Sequence, residues 1–231
     1  MTSQDERTAM VPRILIDAAE IPGGDVLRLF RRGDEFSIML GANELMNSRV
    51  SGSEEALATL ACDRLAGRAA ARLLVGGLGM GFTLRAALGR LGADSAVTVA
   101  ELVPAVVAWA RGPMASIFGG CLEDPRTVVV EEDVAAQIVG VRGGWDAILL
   151  DVDNGPDGLT RRSNDRLYSA AGLGAARLAL SPGGLLAVWS AAPDAPFVRR
   201  LETAGFSVEE VVVKARGGRG ARHVIWLATR L

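Results

Sequence analysis

The stretch Arg72-Leu73-Leu74-Val75-Gly76-Gly77-Leu78-Gly79-Met80-Gly81-Phe82-Thr83-Leu84-Arg85 decides the reading of this chain. It opens as a short apolar run, passes through Gly76, Gly77, Gly79 and Gly81, and continues as the helical pattern Leu84-Arg85-Ala86-Ala87-Leu88. A strand that enters a glycine-rich turn and leaves as a helix lets the backbone approach a ligand at the carboxyl edge of a parallel sheet. The free N–H groups of the helix start face the same place. The spacing Gly77-x-Gly79-x-Gly81 lacks the final interval of the dinucleotide fingerprint, so the motif alone does not name a ligand.

The segments after it extend the pattern. Ala96 to Ala100, Thr127 to Val130, Trp145 to Leu150 and Leu185 to Trp189 read as buried strands, with helical stretches between them. Pro104 opens one helix at a position that tolerates proline, and further helices are expected from Asn164 to Leu180 and from Phe197 to Ala204. Val208 to Lys214 and His223 to Thr229 are two final strands with no helix between them. The fold class is therefore α/β, with a Rossmann-like, mostly parallel sheet that ends in an antiparallel C-terminal hairpin. Upstream, Ile14 to Ile16, Val26 to Phe30 and Phe36 to Leu40 read as short strands of a β extension; Gly41 to Arg49 reads as a loop or short strand. The expected division is an N-terminal tail and hairpin extension over 1–50 and a Rossmann-like domain over 51–231. A helix should begin near Ser53-Glu54-Glu55.

Composition excludes several classes. With 25 basic against 27 acidic residues, no global field draws the chain to nucleic acid or to a membrane. Arg216-Gly217-Gly218-Arg219-Gly220 is too short, and too poor in aromatics, for an RNA-binding segment. Cys62 and Cys121 have no metal-ligand spacing, so no metal is expected, and two isolated cysteines suit a reducing, cytoplasmic setting. His223, the only histidine, reads as a packing or surface residue.

Successive strands end in acids: Glu101, Asp133 a few residues past the third strand, and Asp151. Glu101 follows Gly81 by 20 residues, where an acid can hold both hydroxyls of a ribose. Such a ring of carboxylates would repel a pyrophosphate and suits an adenosine-type cofactor. In this order and spacing the chain resembles the spermidine synthase-like group of the class I S-adenosylmethionine-dependent fold. The resemblance rests on Gly77 to Gly81, on Glu101-Leu102-Val103-Pro104, on Asp124-Pro125-Arg126 through Asp133, on Trp145 through Pro156, and on Leu180 to Gly184. It implies cofactor contacts from Gly77, Leu78, Gly79, Met80, Gly81, Glu101, Leu102, Asp133, Val134 and Asp151, and a homodimer.

The departures from that pattern set the expected reaction. Met80 stands where the family's glycine loop carries an acid. Asn154 stands where it carries a proton-accepting aspartate, and an amide is no base. The expectation is therefore methyl transfer from intact S-adenosyl-L-methionine to a small molecule, an amine, with Asp151, Asp153 and Asn154 on the acceptor side and Glu44 and Glu55 closing over it. Aminopropyl transfer from the decarboxylated cofactor is the alternative. A non-catalytic cofactor-binding module is a second.

Overall fold

The computed structural model describes residues 11–21, 24–152, 166–216 and 219–231. The chain divides into two units, Met1–Arg49 and Val50–Leu231.

The first unit is a four-stranded antiparallel sheet in chain order: β1 (Ile14–Glu20), β2 (Val26–Arg32), β3 (Glu35–Leu40) and β4 (Asn43–Asn47). Alternation drives it. Leu27 and Leu29 of β2 and Phe36 and Ile38 of β3 are buried at alternate positions, and Met39 is buried beside Ile38. Gly33 and Gly41 take positive φ in the two tight turns, where a β-carbon would be strained. The segment from Asn43, read from sequence as a loop or short strand, pairs with β3.

In the second unit, α1 (Gly52–Arg64) precedes β5 (Arg72–Gly76), and α2 (Phe82–Leu88) follows it. Then come β6 (Ala96–Ala100), α3 (Pro104–Arg111), the single turn α4 (Ala115–Phe118), β7 (Thr127–Val130), α5 (Val134–Ile138) and β8 (Trp145–Leu150). The chain closes with α6 (Ala170–Ala179), β9 (Leu180–Ser190), α7 (Ala195–Thr203), β10 (Phe206–Arg216) and β11 (Arg219–Arg230). The sheet order is β10-β11-β9-β8-β5-β6-β7. Pairs among β5 to β9 are parallel, and β11 is antiparallel to both β9 and β10. This is the Rossmann-like sheet with an antiparallel C-terminal hairpin that the pattern predicts.

Chain order reverses between β5 and β8. A ligand cleft forms at such a reversal, beyond the carboxyl ends of the strands. One face of the sheet is closed by an apolar core that includes Ile148, Leu186 and Val188, with Tyr168, Phe197 and Trp226 meeting edge to face at 5.5 and 4.9 Å.

Several boundaries differ from expectation for definable reasons. The expected turn Ser181-Pro182-Gly183-Gly184 lies inside β9. Trp145 pairs with Leu180 and Ala147 with Leu185, so the intervening residues of β9 bulge out of register. The helix expected from Asn164 is described only as α6, from Ala170, where the Ser169 side chain accepts the Gly172 N–H.

Asp146 locks the bulge at the amino edge of the sheet. It accepts the Arg72 N–H at 2.9 Å, the Ser181 hydroxyl at 2.8 Å and the Arg68 guanidinium at 2.7 Å. Burial works to raise its pKa; these donors and the Arg68 charge outweigh that and hold the carboxyl below its ordinary value. A depressed carboxyl stabilises the fold above the unfolded pKa and loses that contribution as pH falls through the folded one. Asp146→Asn should therefore cost about 1–2 kcal/mol at pH 7 in urea unfolding. Its deficit against the wild type should shrink below about pH 4, since protonation removes the wild-type advantage as well.

Candidate active site

The cleft is built on the turn after β5. Gly77 donates its N–H to Ala100 O at 2.9 Å, and Gly81 donates to Leu78 O at 2.8 Å, which folds the loop back onto the start of α2. Two of its glycines are required sterically. Gly81 has φ +75°, and a β-carbon there would lie 2.5 Å from the Phe118 ring. Gly77 has φ +86°, with Asp151 O 3.3 Å from its would-be β-carbon.

Glu101, just past β6, is buried and holds this loop. One carboxylate oxygen accepts the Leu78 N–H at 2.9 Å and the other the Val103 N–H at 2.8 Å. Burial pushes its pKa up, against the pull of backbone N–H donors from Val103, Leu78, Gly79 and Leu102. Asp133 caps α5 by accepting the Ala135 N–H at 2.9 Å, which leaves its second oxygen without a partner among the described residues. Val134 is buried, with its methyl against Gly76. Met80 is buried as well.

Asp151 follows β8 directly and is bonded by the Thr83 hydroxyl of α2 at 3.4 Å, a weak contact. Loss of water raises its carboxyl to about 7, the charge of Glu54 adds to the rise, and the Thr83 bond opposes it. Glu54, at the start of α1, accepts the Ser53 hydroxyl at 2.7 Å, and Ser53 in turn bonds Nδ1 of His223 at 2.9 Å. Among the described residues no arginine or lysine pairs with Asp151 or Glu54.

The sequence-predicted residues Gly77, Leu78, Gly79, Glu101 and Asp151 thus meet at one edge. Asp153 and Asn154 lie outside the described residues. Glu55 points to a different partner, Arg85, at 3.6 Å. Glu44 belongs to the N-terminal sheet, where it accepts the Asn47 amide at 2.9 Å and pairs with Arg49 at 3.7 Å. Sequence reasoning read Ser53 and Glu54 as a helix start, chose Glu55 over Glu54 for the site, and read His223 as a packing or surface residue. A helical signal was available for Glu54, which shares a stripe with the buried Ala58, Ala61 and Leu65, whereas Glu55 does not.

This architecture has close structural parallels. The chain superimposes on a spermidine synthase from Thermotoga maritima with a TM-score of 0.74, at 17% identity, covering 94% of this chain and 72% of that one. A spermidine synthase in complex with the transition state analogue AdoDATO gives the same values. A probable spermidine synthase from Corynebacterium glutamicum gives a TM-score of 0.64 at 15% identity, covering 92% and 79%. The fold is that of the spermidine synthases. No protein-family model matches the chain. Among curated proteins, it is 32% identical over 145 residues to a polyamine aminopropyltransferase of Mycobacterium tuberculosis, covering 59% of this chain and 27% of that protein. It is 34% identical over 146 residues to polyamine aminopropyltransferase 1 of Streptomyces coelicolor, covering 60% and 26%. The chain spans about a quarter of the length of these curated relatives.

These names correct two expectations. Methyl transfer and intact S-adenosyl-L-methionine rested on Met80 and Asn154. The spermidine synthase-like relatives are aminopropyltransferases, which overturns both. The physical weakness lay in resting the substrate on single positions: Met80 removes one charge from the loop, while Glu101, Asp151 and Glu54 remain beside it.

A buried acid with a raised pKa destabilises the folded state wherever it is ionised there. For Asp151 the penalty is absent below about pH 4, grows as pH rises, and is complete above about 7. Asp151→Asn should accordingly raise thermal stability at pH 8, by roughly 2 kcal/mol, and leave it unchanged near pH 4. Paired melting curves at the two pH values check this.

Proposed function

We propose that this chain transfers an aminopropyl group from decarboxylated S-adenosylmethionine to a small amine of the polyamine type. The observation that carries the reading is the pairing of Glu54 and Asp151 beside the glycine loop with no described cation to neutralise them. The charge of Glu54 adds to the rise that burial gives the Asp151 carboxyl, and a bound cation relieves that cost. The two substrates of this reaction, a sulfonium bearing an aminopropyl ammonium and an alkylamine, are both cations. The names of the relatives support the same reaction.

The residues present fit the sulfonium substrate. Glu101, held by Leu78 and Val103 just past β6, stands where a carboxylate can accept two ribose hydroxyls. The unengaged oxygen of Asp133 suits the adenine amino group, with Leu102 and Val134 beside it. Gly77, Gly79 and Gly81 let the main chain approach closely. The carbon beside a sulfonium is already activated, so the protein supplies alignment, exclusion of water and a place for the proton. Asp151 and Glu54 hold and orient the amine.

The reading extends to assembly and setting. A homodimer is supported by β1, an edge strand that leaves Ile14, Leu15 and Ile16 exposed. A cytoplasmic setting is supported by the free cysteines Cys62 and Cys121. Among the described residues no helix is long and apolar enough to cross a membrane.

The full chain incubated with decarboxylated S-adenosylmethionine and a panel of diamines and polyamines should release methylthioadenosine and yield an amine lengthened by one aminopropyl unit. Glu101→Gln should weaken binding of the sulfonium substrate by about tenfold or more in calorimetry, through loss of a charged acceptor. Absence of methylthioadenosine across the panel would overturn the proposal.

A further inference from the structure

Aminopropyl transfer needs a neutral nitrogen. An alkylamine is protonated at neutral pH, so a proton must leave before or during attack. The position matched to the family's proton-accepting aspartate is Asn154, whose amide takes no proton. The proton needs another acceptor.

His223 sits at the right edge of the sheet. Its neighbour Val224 pairs with Ser190 at the end of β9, and Leu150, the residue before Asp151, pairs with Val188 of the same strand. It is tied to the cleft by Ser53, between Glu54 and His223, and by the Thr83 hydroxyl, which lies 3.4 Å from both Asp151 and Glu54 O and has one hydrogen for the two. The hydrogen count then fixes the tautomer. Ser53 has one hydroxyl hydrogen and gives it to Glu54. Toward the imidazole its oxygen can only accept, so Nδ1 carries a hydrogen and Nε2 holds a lone pair. No described residue bonds Nε2. The Trp189 ring meets the imidazole edge to face at 4.7 Å and fixes its plane.

We propose that Nε2 of His223 is the proton acceptor for the attacking amine, an inference that rests on the aminopropyl reading above. In the step, the lone pair of the acceptor nitrogen forms an N–C bond to the methylene beside the sulfonium. The C–S bond breaks and its electron pair stays on sulfur, which leaves as a neutral thioether. The proton shed by nitrogen goes to Nε2. Glu54, acting through Ser53, stabilises the imidazolium that results.

The electrostatics agree. Burial holds the His223 pKa below its ordinary value, against the pull of Glu54, so the ring is neutral and ready at pH 7. The charged groups that face it are Glu54 of α1 and, beyond Glu54, Asp151 after β8. Trp189 of β9, which meets it edge to face, and Val213 of β10, its cross-strand partner, carry no charge.

Because His223 is the only histidine, its ring nitrogens can be followed by NMR in the labelled full chain without assignment by mutation. The expected result is an Nδ1–H tautomer whose Nε2 signal moves when 1,4-diaminobutane is added. His223→Gln should lower aminopropyl turnover by about 100-fold or more and abolish the acidic limb of its pH profile. It should change the affinity for decarboxylated S-adenosylmethionine by less than about threefold, and added imidazole should restore part of the rate. Ser53→Ala should shift that acidic limb without removing it. An Nε2–H tautomer, a ring blind to the diamine in a chain that does transfer, or a variant that keeps the wild-type acidic limb would overturn the role of His223. A wild type that transfers nothing while its ring still follows the diamine would overturn the aminopropyl reading instead, and leave His223 on the acceptor side.

Discussion

A single buried carboxylate, that of Glu101, organises the cleft. Removing a charge from water is expensive, and the cost is met here by backbone N–H groups from Leu78 and Val103 rather than by a cation. Those donors exist only if the loop after β5 takes left-handed turns at Gly77, Gly79 and Gly81. The turns in turn require glycine, and at Gly81 the Phe118 ring leaves no room for a β-carbon. The loop, the acid and the packing of α4 are therefore one constraint.

The second constraint is the reversal of strand order between β5 and β8. It places the glycine loop beside the residue that follows Leu150, so Asp151 lies across from Gly77. Structural acids behave differently in this fold. Asp146, at the opposite edge, is surrounded by donors and lies below its ordinary pKa. Asp124 is gripped by the Arg126 side chain and N–H, and its carboxyl is held down to about 2. Asp151 and Glu101 are pushed the other way by burial. Paired side-chain donors set the sign at Asp146 and Asp124, and burial without a paired cation sets it at Asp151 and Glu101.

Much of this was legible in the sequence because glycine and strand periodicity are local signals. The turn after β5, the buried strands and the acids at their ends all follow from residues within a few positions of one another. The bulge in β9 was not legible. Pro182, Gly183 and Gly184 signal a turn, and only the pairing of Trp145 with Leu180 on one side and Ala147 with Leu185 on the other shows that the strand continues through it. The reaction was misread for a related cause. The argument from Met80 rested the choice of substrate on one position of the loop, and one neutral residue there does not outweigh the acids that other elements bring to the same edge.

The acceptor side shows why single positions matched to a family pattern can mislead. Local comparison registers the loss of an aspartate at Asn154 and stops there. Glu54, Ser53 and His223 come from a helix start and a strand separated by about 170 positions, and only the packing of α1 against the sheet joins them. Neither residue type nor spacing distinguishes this histidine from one that fills a surface groove. The distinguishing fact is a hydrogen count: a serine that has already given its only proton to a glutamate can hold a neutral imidazole in one tautomer, with its basic nitrogen turned away from the serine.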